Sequence, residues 1–254
     1  MLQVTNPFNQ QVLATLAIAT DAEVELFLKT GAQLESRPLP VHERIRILET
    51  MAHLAQSERE TLAQTVAREG GKPLRDAYVE VDRGVIGLKL CAQQLWQGHG
   101  NEIPMGMTLS SQQKWAWTRR EPIGLVFAIS AFNHPFNLIV HQVGPAIAAG
   151  CPVLVKPASA TPLSCLHFAR LATEAGLPEG YLRVVLVDGK NAEKIARDSR
   201  IKFVSFIGSA RVGWNLRSVL APGTRCALEH GGSAPCIIES DVDLSDLVPR
   251  LVKG

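Results

Sequence analysis

Three polar side chains and a Gly-Ser pair lie beside short apolar stretches in the second half of the chain, and one of them, Glu229, precedes its stretch. They are Asn133, Lys156, Glu229 and Gly208-Ser209. An amide can donate to an oxyanion, and a carboxylate can act as a general base. An ammonium group suits ribose hydroxyls or a phosphate, and backbone N–H groups at a helix start bind anions. These residue types would together serve a phosphate-bearing ligand and a carbonyl group.

Each of these residues also has an ordinary structural interpretation. Asn133 lies between Phe132 and a His-Pro pair, where turn residues are common. A lysine is usually solvated, and a glutamate before two glycines is often a surface carboxylate. Most strand-to-helix turns contain glycine for geometric reasons, so Gly208 alone is a weak signal. The chain has no GxGxxG segment, so the usual dinucleotide fingerprint is absent.

Apolar stretches alternate with helical patterns after Pro122. The stretches are 124–130, 152–155, 182–187, 203–207 and 236–238. The helical patterns are 137–149, 161–175, 191–198, 210–220 and 241–253. This alternation predicts an α/β fold with βαβ units and a parallel sheet. Ligands bind at the carboxyl ends of strands in such sheets, which is where the polar residues above would lie.

The first ninety or so residues have a helical pattern. We expect Asp21 to cap a helix reaching about Ser36, and Pro40 to open a second. Ser57–Glu60 predicts a capping box for a third helix. Gly70–Pro73 would end that helix and start a fourth, which extends to about Leu95. From 98 to 120 an alternating run, 115–118, predicts a β-hairpin or extended arm.

Composition excludes several classes of protein. The 254 residues carry a net charge of +2, and no basic face indicates nucleic-acid binding. No apolar stretch approaches the roughly 18 residues of a membrane span, and the N-terminus does not resemble a signal peptide. Five cysteines without CxxC spacing suggest reduced, mostly buried thiols and no zinc site. We therefore expect a cytoplasmic protein that binds neither nucleic acid nor membrane.

The order and spacing of the motifs resemble those of the aldehyde dehydrogenase superfamily. The segments that carry the resemblance are Glu69-Gly70-Gly71-Lys72-Pro73, Arg120–Val126, Phe132-Asn133-His134-Pro135-Phe136, Val155–Pro162, Phe206-Ile207-Gly208-Ser209 and Leu228-Glu229-His230-Gly231-Gly232. They are similar to the family's E-x-GKP, REPxGxx, PWNFP, KPxExTP, FTGS and LELGG segments. The resemblance covers essentially the whole chain.

The resemblance implies a Rossmann-like sheet with flanking helices that binds NAD or NADP. Lys156 would bind the adenosine ribose, and Gly208 and Ser209 would face the pyrophosphate. Phe132 would line the cofactor or substrate side, and Gly231 is also assigned to the cofactor site. The family often has Glu where this chain has Ser159, and a carboxylate there repels a 2′-phosphate. Ser159 therefore suggests that NADP is accepted at least as well as NAD.

The resemblance also implies oxidation of an aldehyde to a carboxylic acid through a cysteine thioester. Asn133 would donate to the oxyanion, and Glu229 would activate water. In the family the nucleophilic cysteine lies a few dozen residues beyond that Glu. Here Cys236 follows instead, inside an apolar run that predicts a strand, so we expect a buried structural thiol. The chain would then lack the nucleophile and be inactive alone.

The implied organisation has four parts. Residues 1–100 would be the helical part of the cofactor-binding domain and 101–121 a β-arm for homo-oligomerisation. Residues 122–232 would be the Rossmann-like part, and 233–254 the start of a truncated catalytic domain. In that tail, an Asp241-capped helix ending at Gly254 would expose its apolar face. The alternative is a catalytically silent NAD(P)-binding module or degenerate subunit, which would not need Asn133 and Glu229.

Overall fold

The computed structural model describes residues 1–98 and 100–253. The helices are α1 (Asp21–Leu34), α2 (Val41–Ser57), α3 (Arg59–Gly70), α4 (Leu74–Gln97), α5 (Asn137–Ala149), α6 (Leu163–Glu174), α7 (Gly189–Ala196), α8 (Ala210–Val219) and α9 (Leu244–Lys253). The strands are β1 (Leu2–Thr5), β2 (Val12–Leu16), β3 (Glu102–Ile103), β4 (Ala116–Trp117), β5 (Leu125–Ile129), β6 (Val153–Lys156), β7 (Leu182–Val184), β8 (Ile201–Gly208) and β9 (Arg225–His230).

A parallel sheet with strand order β7-β6-β5-β8-β9 forms the centre of the described chain. From β5 the chain adds β6 and β7 on one side of the sheet, and then returns to add β8 and β9 on the other side. The point where the order reverses therefore lies between the neighbouring strands β5 and β8. Such a switch point leaves a crevice at the carboxyl ends of the two strands, where open α/β sheets bind ligands. The predicted α/β fold with a parallel sheet and flanking helices is confirmed.

Alternate residues of the central strand β5 face two different cores. Val126 and Ala128 pack in a core with α2 to α6. Leu125, Phe127 and Ile129 pack in a second core with residues of α1, α7 and α8. Every residue of β5 is buried, as expected for a parallel strand covered by helices on both faces.

Two predictions about strands were wrong. Residues 236–238 form no strand, and Ile237 is 81% exposed. The last strand of the sheet is instead β9, which has an alternating half-buried and exposed pattern. An edge strand buries only part of its surface, so its sequence has no continuous apolar stretch by which it could be recognised. The antiparallel β1–β2 hairpin was also not foreseen, because the whole first segment was interpreted as helical.

Several predicted helix caps were wrong, although the helices themselves are present. Thr20, and not Asp21, caps α1 through a capping box with Glu23. Ser57 forms no capping box, because its hydroxyl donates backward to carbonyls of α2. Asp243, and not Asp241, accepts from the Ser245 amide before α9. The predicted end at Gly254 lies outside the described residues.

The predicted hairpin at 98–120 is present as the short antiparallel pair β3–β4. Trp115 and Trp117 on this hairpin are exposed, as are Val248 and Leu251 of α9. Whether these surfaces are covered in an oligomer stays a prediction. In the described residues, no helix has the length and apolar character needed to cross a membrane.

Candidate functional site

Strand register brings most of the predicted site residues to one edge of the sheet. Lys156 is paired with Ile129 at the end of β5, and Ile129 is paired with Phe206 of β8. Gly208 at the end of β8 is paired with His230 at the end of β9. The loops that follow these strands carry Asn133, Ser159, Ser209 and Gly231. The carboxyl edge of the sheet is therefore the candidate site.

Lys156 is a buried ammonium group at this edge. The residue is only 9% exposed, and its Nζ donates to the Pro157 carbonyl at 3.2 Å. Among the described residues it forms no ion pair. Burial lowers the pKa of Lys156, and the charge of Asp188 opposes that shift. A buried cation with one hydrogen bond has donors to spare, which suits a ligand rich in hydroxyl or phosphate oxygens.

The start of α8, which follows β8 at the same edge of the sheet, offers backbone hydrogen-bond donors. Ser209 precedes the helix with extended backbone, and its side chain makes no capping bond to the first turn. The first-turn N–H groups and the helix dipole therefore face outward, as in anion sites. A Cβ at position 208 would lie 2.6 Å from the Phe206 ring, so glycine is required there by packing.

Asn133 lies in the turn between β5 and α5. Both Asn133 and Phe132 are exposed, Phe132 by 65%. The neighbouring His134 carbonyl accepts from the Leu138 amide and so begins the helix. Burial and the nearby Lys72 lower the pKa of His134.

A buried ion pair holds the end of the Asn133 turn. The Glu80 carboxylate accepts from the backbone amides of Phe136 and Asn137, at 2.8 and 3.1 Å. Lys72 pairs with the other oxygen of Glu80 at 2.5 Å. Helix α5 has no capping side chain of its own, so Glu80 of α4 supplies the missing acceptor.

Glu69 caps the start of α6, the helix that follows the Ser159 turn, as Glu80 caps α5. It accepts from the amides of Leu163 and Ser164, at 2.6 and 2.8 Å, and from the Ser164 hydroxyl. Burial raises the pKa of Glu69 to about 7, although these hydrogen bonds favour the carboxylate. The helical layer α3–α4 therefore anchors the turns that carry Asn133 and Ser159.

Gln142 joins the two strands at the switch point. Its Nε2 donates to the Ile129 carbonyl at 3.1 Å and to the Ser205 carbonyl at 3.0 Å. Nearby, the buried Ser130 hydroxyl has no hydrogen-bond partner within the described part of the chain. Gln142 therefore ties the ends of β5 and β8 together, and Ser130, which directly follows β5, has an unused hydroxyl.

The last part of the edge is the end of β9. Glu229 is exposed, and the following His230 packs edge-on against Phe206 and Trp214, with ring centroids 6.3 and 5.2 Å apart. A Cβ at Gly213 would lie 2.2 Å from the His230 ring. Gly231 is exposed and no atom crowds it. The β9 end is therefore fixed at His230, while Glu229 and Gly231 are open to solvent.

The cysteines differ sharply in burial. Cys151 and Cys165 are buried, and burial raises the pKa of each thiol. Burial also raises the pKa of Cys91 to about 11. Cys236 is exposed, so its predicted place inside a buried strand was wrong. Within residues 1–98 and 100–253, no cluster of His, Cys, Asp or Glu could hold a metal ion.

The sequence interpretation missed the residues that support the edge from other elements. Glu80 and Gln142 were not singled out, and Glu69 was noticed only as part of a motif. Asp188, which caps α7, was also passed over. An Asp directly before a helical pattern is a recognisable N-cap signal, so Asp188 could have been found.

Comparison with known proteins places the chain in a single family. A model of the aldehyde dehydrogenase family matches residues 1–254. A 3-sulfolactaldehyde dehydrogenase from Priestia aryabhattai is 35% identical over 244 residues, covering 96% of this chain and 51% of the relative. Mouse aldehyde dehydrogenase 1A1 is also 35% identical, covering 95% and 49%.

Solved structures give the same result. Aldehyde dehydrogenase 21 from Physcomitrella patens, in complex with the reaction product succinate, matches with a TM-score of 0.91 at 32% identity, covering 100% of this chain and 53% of that one. A glyceraldehyde-3-phosphate dehydrogenase from Methanocaldococcus jannaschii, complexed with NADP, matches at 0.90 and 31%, covering 100% and 56%. The chain spans about half the length of the curated relatives it matches. It belongs to the aldehyde dehydrogenase family.

Proposed function

We propose that this chain is the dinucleotide-binding half of an NAD(P)-dependent aldehyde-oxidising enzyme. The observation that carries the proposal is the buried Lys156 ammonium at the carboxyl edge of the sheet, beside a helix start with free N–H groups. Family membership and the NADP complexes of related structures support it.

In this proposal each residue of the edge binds one part of the dinucleotide. Lys156 and Ser159 hold the adenosine ribose, and Gly208 and Ser209 present backbone N–H groups to the pyrophosphate. Phe132 and Gly231 border the nicotinamide end. The dinucleotide, when bound, supplies the hydride acceptor for the oxidation.

Two residues would serve the aldehyde. The Asn133 amide donates a hydrogen bond to the oxygen of the reacting carbonyl, where negative charge develops. The exposed Glu229 carboxylate removes a proton from the water that releases the carboxylic acid. The Glu80–Lys72 pair positions Asn133 by holding the first amides of α5.

We further propose that the chain does not turn over by itself. A thioester mechanism needs a thiolate, and burial raises the pKa of Cys91, Cys151 and Cys165. Cys236 follows Glu229 by seven residues in an irregular segment whose neighbours are all exposed. Cys226 is half-buried inside β9, where it is paired with Val204. We therefore propose that none of the five thiols is the nucleophile.

A catalytically silent NAD(P)-binding module is the second candidate function. The burial of three thiols favours it, because dinucleotide binding needs Lys156, Gly208 and Ser209 but no nucleophile. For both candidate functions we propose a cytoplasmic protein that forms a homo-oligomer through the 101–121 arm. We propose a small aldehyde as the substrate of the complete enzyme. The division of the chain into four parts also remains a proposal.

The proposal is tested by titrating the 254-residue chain with NAD and with NADP, followed by tryptophan fluorescence. Saturable binding is expected, and Lys156→Ala should weaken it at least tenfold through the loss of a charged hydrogen-bond donor, about 1.5–3 kcal/mol. Lys89→Ala, which removes an exposed ammonium on α4, is the matched control. A folded chain that binds neither dinucleotide would contradict the proposal.

A further inference from the structure

Asp188 lies at the carboxyl edge of the sheet, in the loop that follows β7. It caps α7, and its Oδ1 accepts from the Asn191 amide at 2.8 Å. Among the described residues, the second carboxylate oxygen accepts no hydrogen bond. One oxygen of this carboxylate therefore caps the helix, and the other oxygen is available to accept a hydrogen bond from a ligand.

Asp188 borders a small hollow next to the Ser159 turn. The other residues that line the hollow are Leu2, Ile18, Pro157, Ser159, Leu186 and Val187. Most of this lining is apolar, and its polar side chains are the Ser159 hydroxyl and the Asp188 carboxylate. Asp188 is itself exposed, so its charge acts mainly on a group that enters the hollow and contacts it.

The Asp188 charge also acts on Lys156. It partly offsets the lowering of the Lys156 pKa by burial, yet the two side chains form no direct ion pair. The two charges are therefore close enough to interact, and Asp188 shares its hollow with Ser159. A pair of neighbouring hydroxyl groups suits these charges, because each can donate to the carboxylate and accept from the ammonium.

We propose that the Asp188 carboxylate accepts a hydrogen bond from the 2′-hydroxyl of the adenosine ribose and repels a 2′-phosphate, so that the chain prefers NAD to NADP. The inference rests on the proposed function, which places the ribose at Lys156 and Ser159. It opposes the expectation from Ser159 alone, since a serine tolerates a phosphate but contributes no charge.

The positive charges near Asp188 do not cancel its repulsion of a 2′-phosphate. A 2′-phosphate carries about −1.5 to −2 charges at neutral pH. Lys156 can bind a ribose hydroxyl as well as a phosphate, so it favours both dinucleotides. Lys190 in the first turn of α7 does not line the hollow, so a phosphate there would contact Asp188 but not the Lys190 ammonium.

The test compares Kd values for NAD and NADP in the unaltered chain and in Asp188→Asn. Asparagine is nearly isosteric and still caps a helix, so α7 should be retained. We expect the unaltered chain to bind NAD more tightly. In Asp188→Asn the ratio of the two Kd values should shift toward NADP, on the order of tenfold. Asp188→Ser, which also retains a capping side chain, should shift the ratio in the same direction.

Asp21→Asn is the matched control, because it removes the same charge from an exposed residue on α1 that does not line the hollow. Equal Kd values in the unaltered chain, or a ratio unchanged by Asp188→Asn, would overturn the inference while leaving dinucleotide binding intact. Failure of the folded chain to bind either dinucleotide would instead remove the proposed function, and the inference with it.

Discussion

Among the described residues, the charged side chains that are fully buried are Glu69, Glu80 and Lys156. Each lies under the carboxyl edge of the sheet. Glu80 has a cation for a partner, Glu69 has only hydrogen-bond donors, and Lys156 has a single carbonyl. Burying charge is costly unless it is compensated, so these residues are held by the packing of the layer around them.

Glu69 predicts a pH dependence of stability. Burial raises its pKa from 4.5 to about 7, so the folded protein holds this proton more tightly than the unfolded chain does. The resulting stability is fully present below about pH 4.5 and is lost as pH rises through about 7. Between pH 4.5 and 8 the free energy of unfolding should fall by about 2–4 kcal/mol from this residue. Urea unfolding at several pH values measures it.

Glu69→Gln should remove this pH-dependent loss, because glutamine does not titrate. Glu49→Gln, the same change on the exposed face of α2, should leave the dependence as it is in the unaltered chain. An identical pH slope in Glu69→Gln and in the unaltered chain would show that Glu69 does not carry the effect.

At the residue scale, the sequence predicts a side chain best when its surroundings are local. Lys156 is recognisable because it directly follows a buried strand. The roles of Glu69 and Glu80 are hidden because the amides they cap lie 94 to 95 and 56 to 57 residues away along the chain. Only the tertiary fold brings these carboxylates to the helix starts.

At the scale of elements, helices α3 and α4 act as a support for the loops of the sheet. Helix α4 supplies Glu80 to the start of α5, and α3 supplies Glu69 to the start of α6. Neither α5 nor α6 has a side-chain cap of its own. The turns before these helices are therefore fixed from the helical layer and not by their own sequence.

Glu80→Gln should destabilise the fold strongly, because it leaves the largely buried Lys72 ammonium without a counter-charge. The Lys72 and Glu80 side chains are 16% and 0% exposed. Removing one partner of such a pair costs about 3–5 kcal/mol, which denaturant unfolding would detect. Asp82→Asn on the same helix breaks the more exposed Arg59–Asp82 pair and should cost far less. Equal losses in the two variants would contradict this account of the pair.

The sequence predicts the helices and the buried strands of the sheet, but it does not predict the edge strand β9 or the β1–β2 hairpin. Strand β5 has a continuous apolar stretch, and the buried residues of α4 recur at helical spacing. Strand β9 is half exposed, so its apolar content resembles that of a loop. The β1–β2 hairpin depends on pairing between two short segments, neither of which has a strong signal alone.

At the scale of the whole molecule, the described chain is a sheet covered on both faces, with one edge prepared for a ligand. The carboxyl edge collects a buried cation, a helix start and an exposed amide from separate parts of the sequence. By contrast, apolar residues on the β3–β4 hairpin and on α9 are exposed to solvent. These features of the carboxyl edge are the reason why we propose that it binds a dinucleotide.

Amide hydrogen exchange with and without saturating NAD tests that proposal most directly, because it locates the ligand on the chain. We expect added protection in the segments 130–136, 156–163 and 208–213. We expect no added protection in the exposed hairpin at 102–117. Unchanged exchange along the carboxyl edge, or protection confined to another surface, would contradict the proposal.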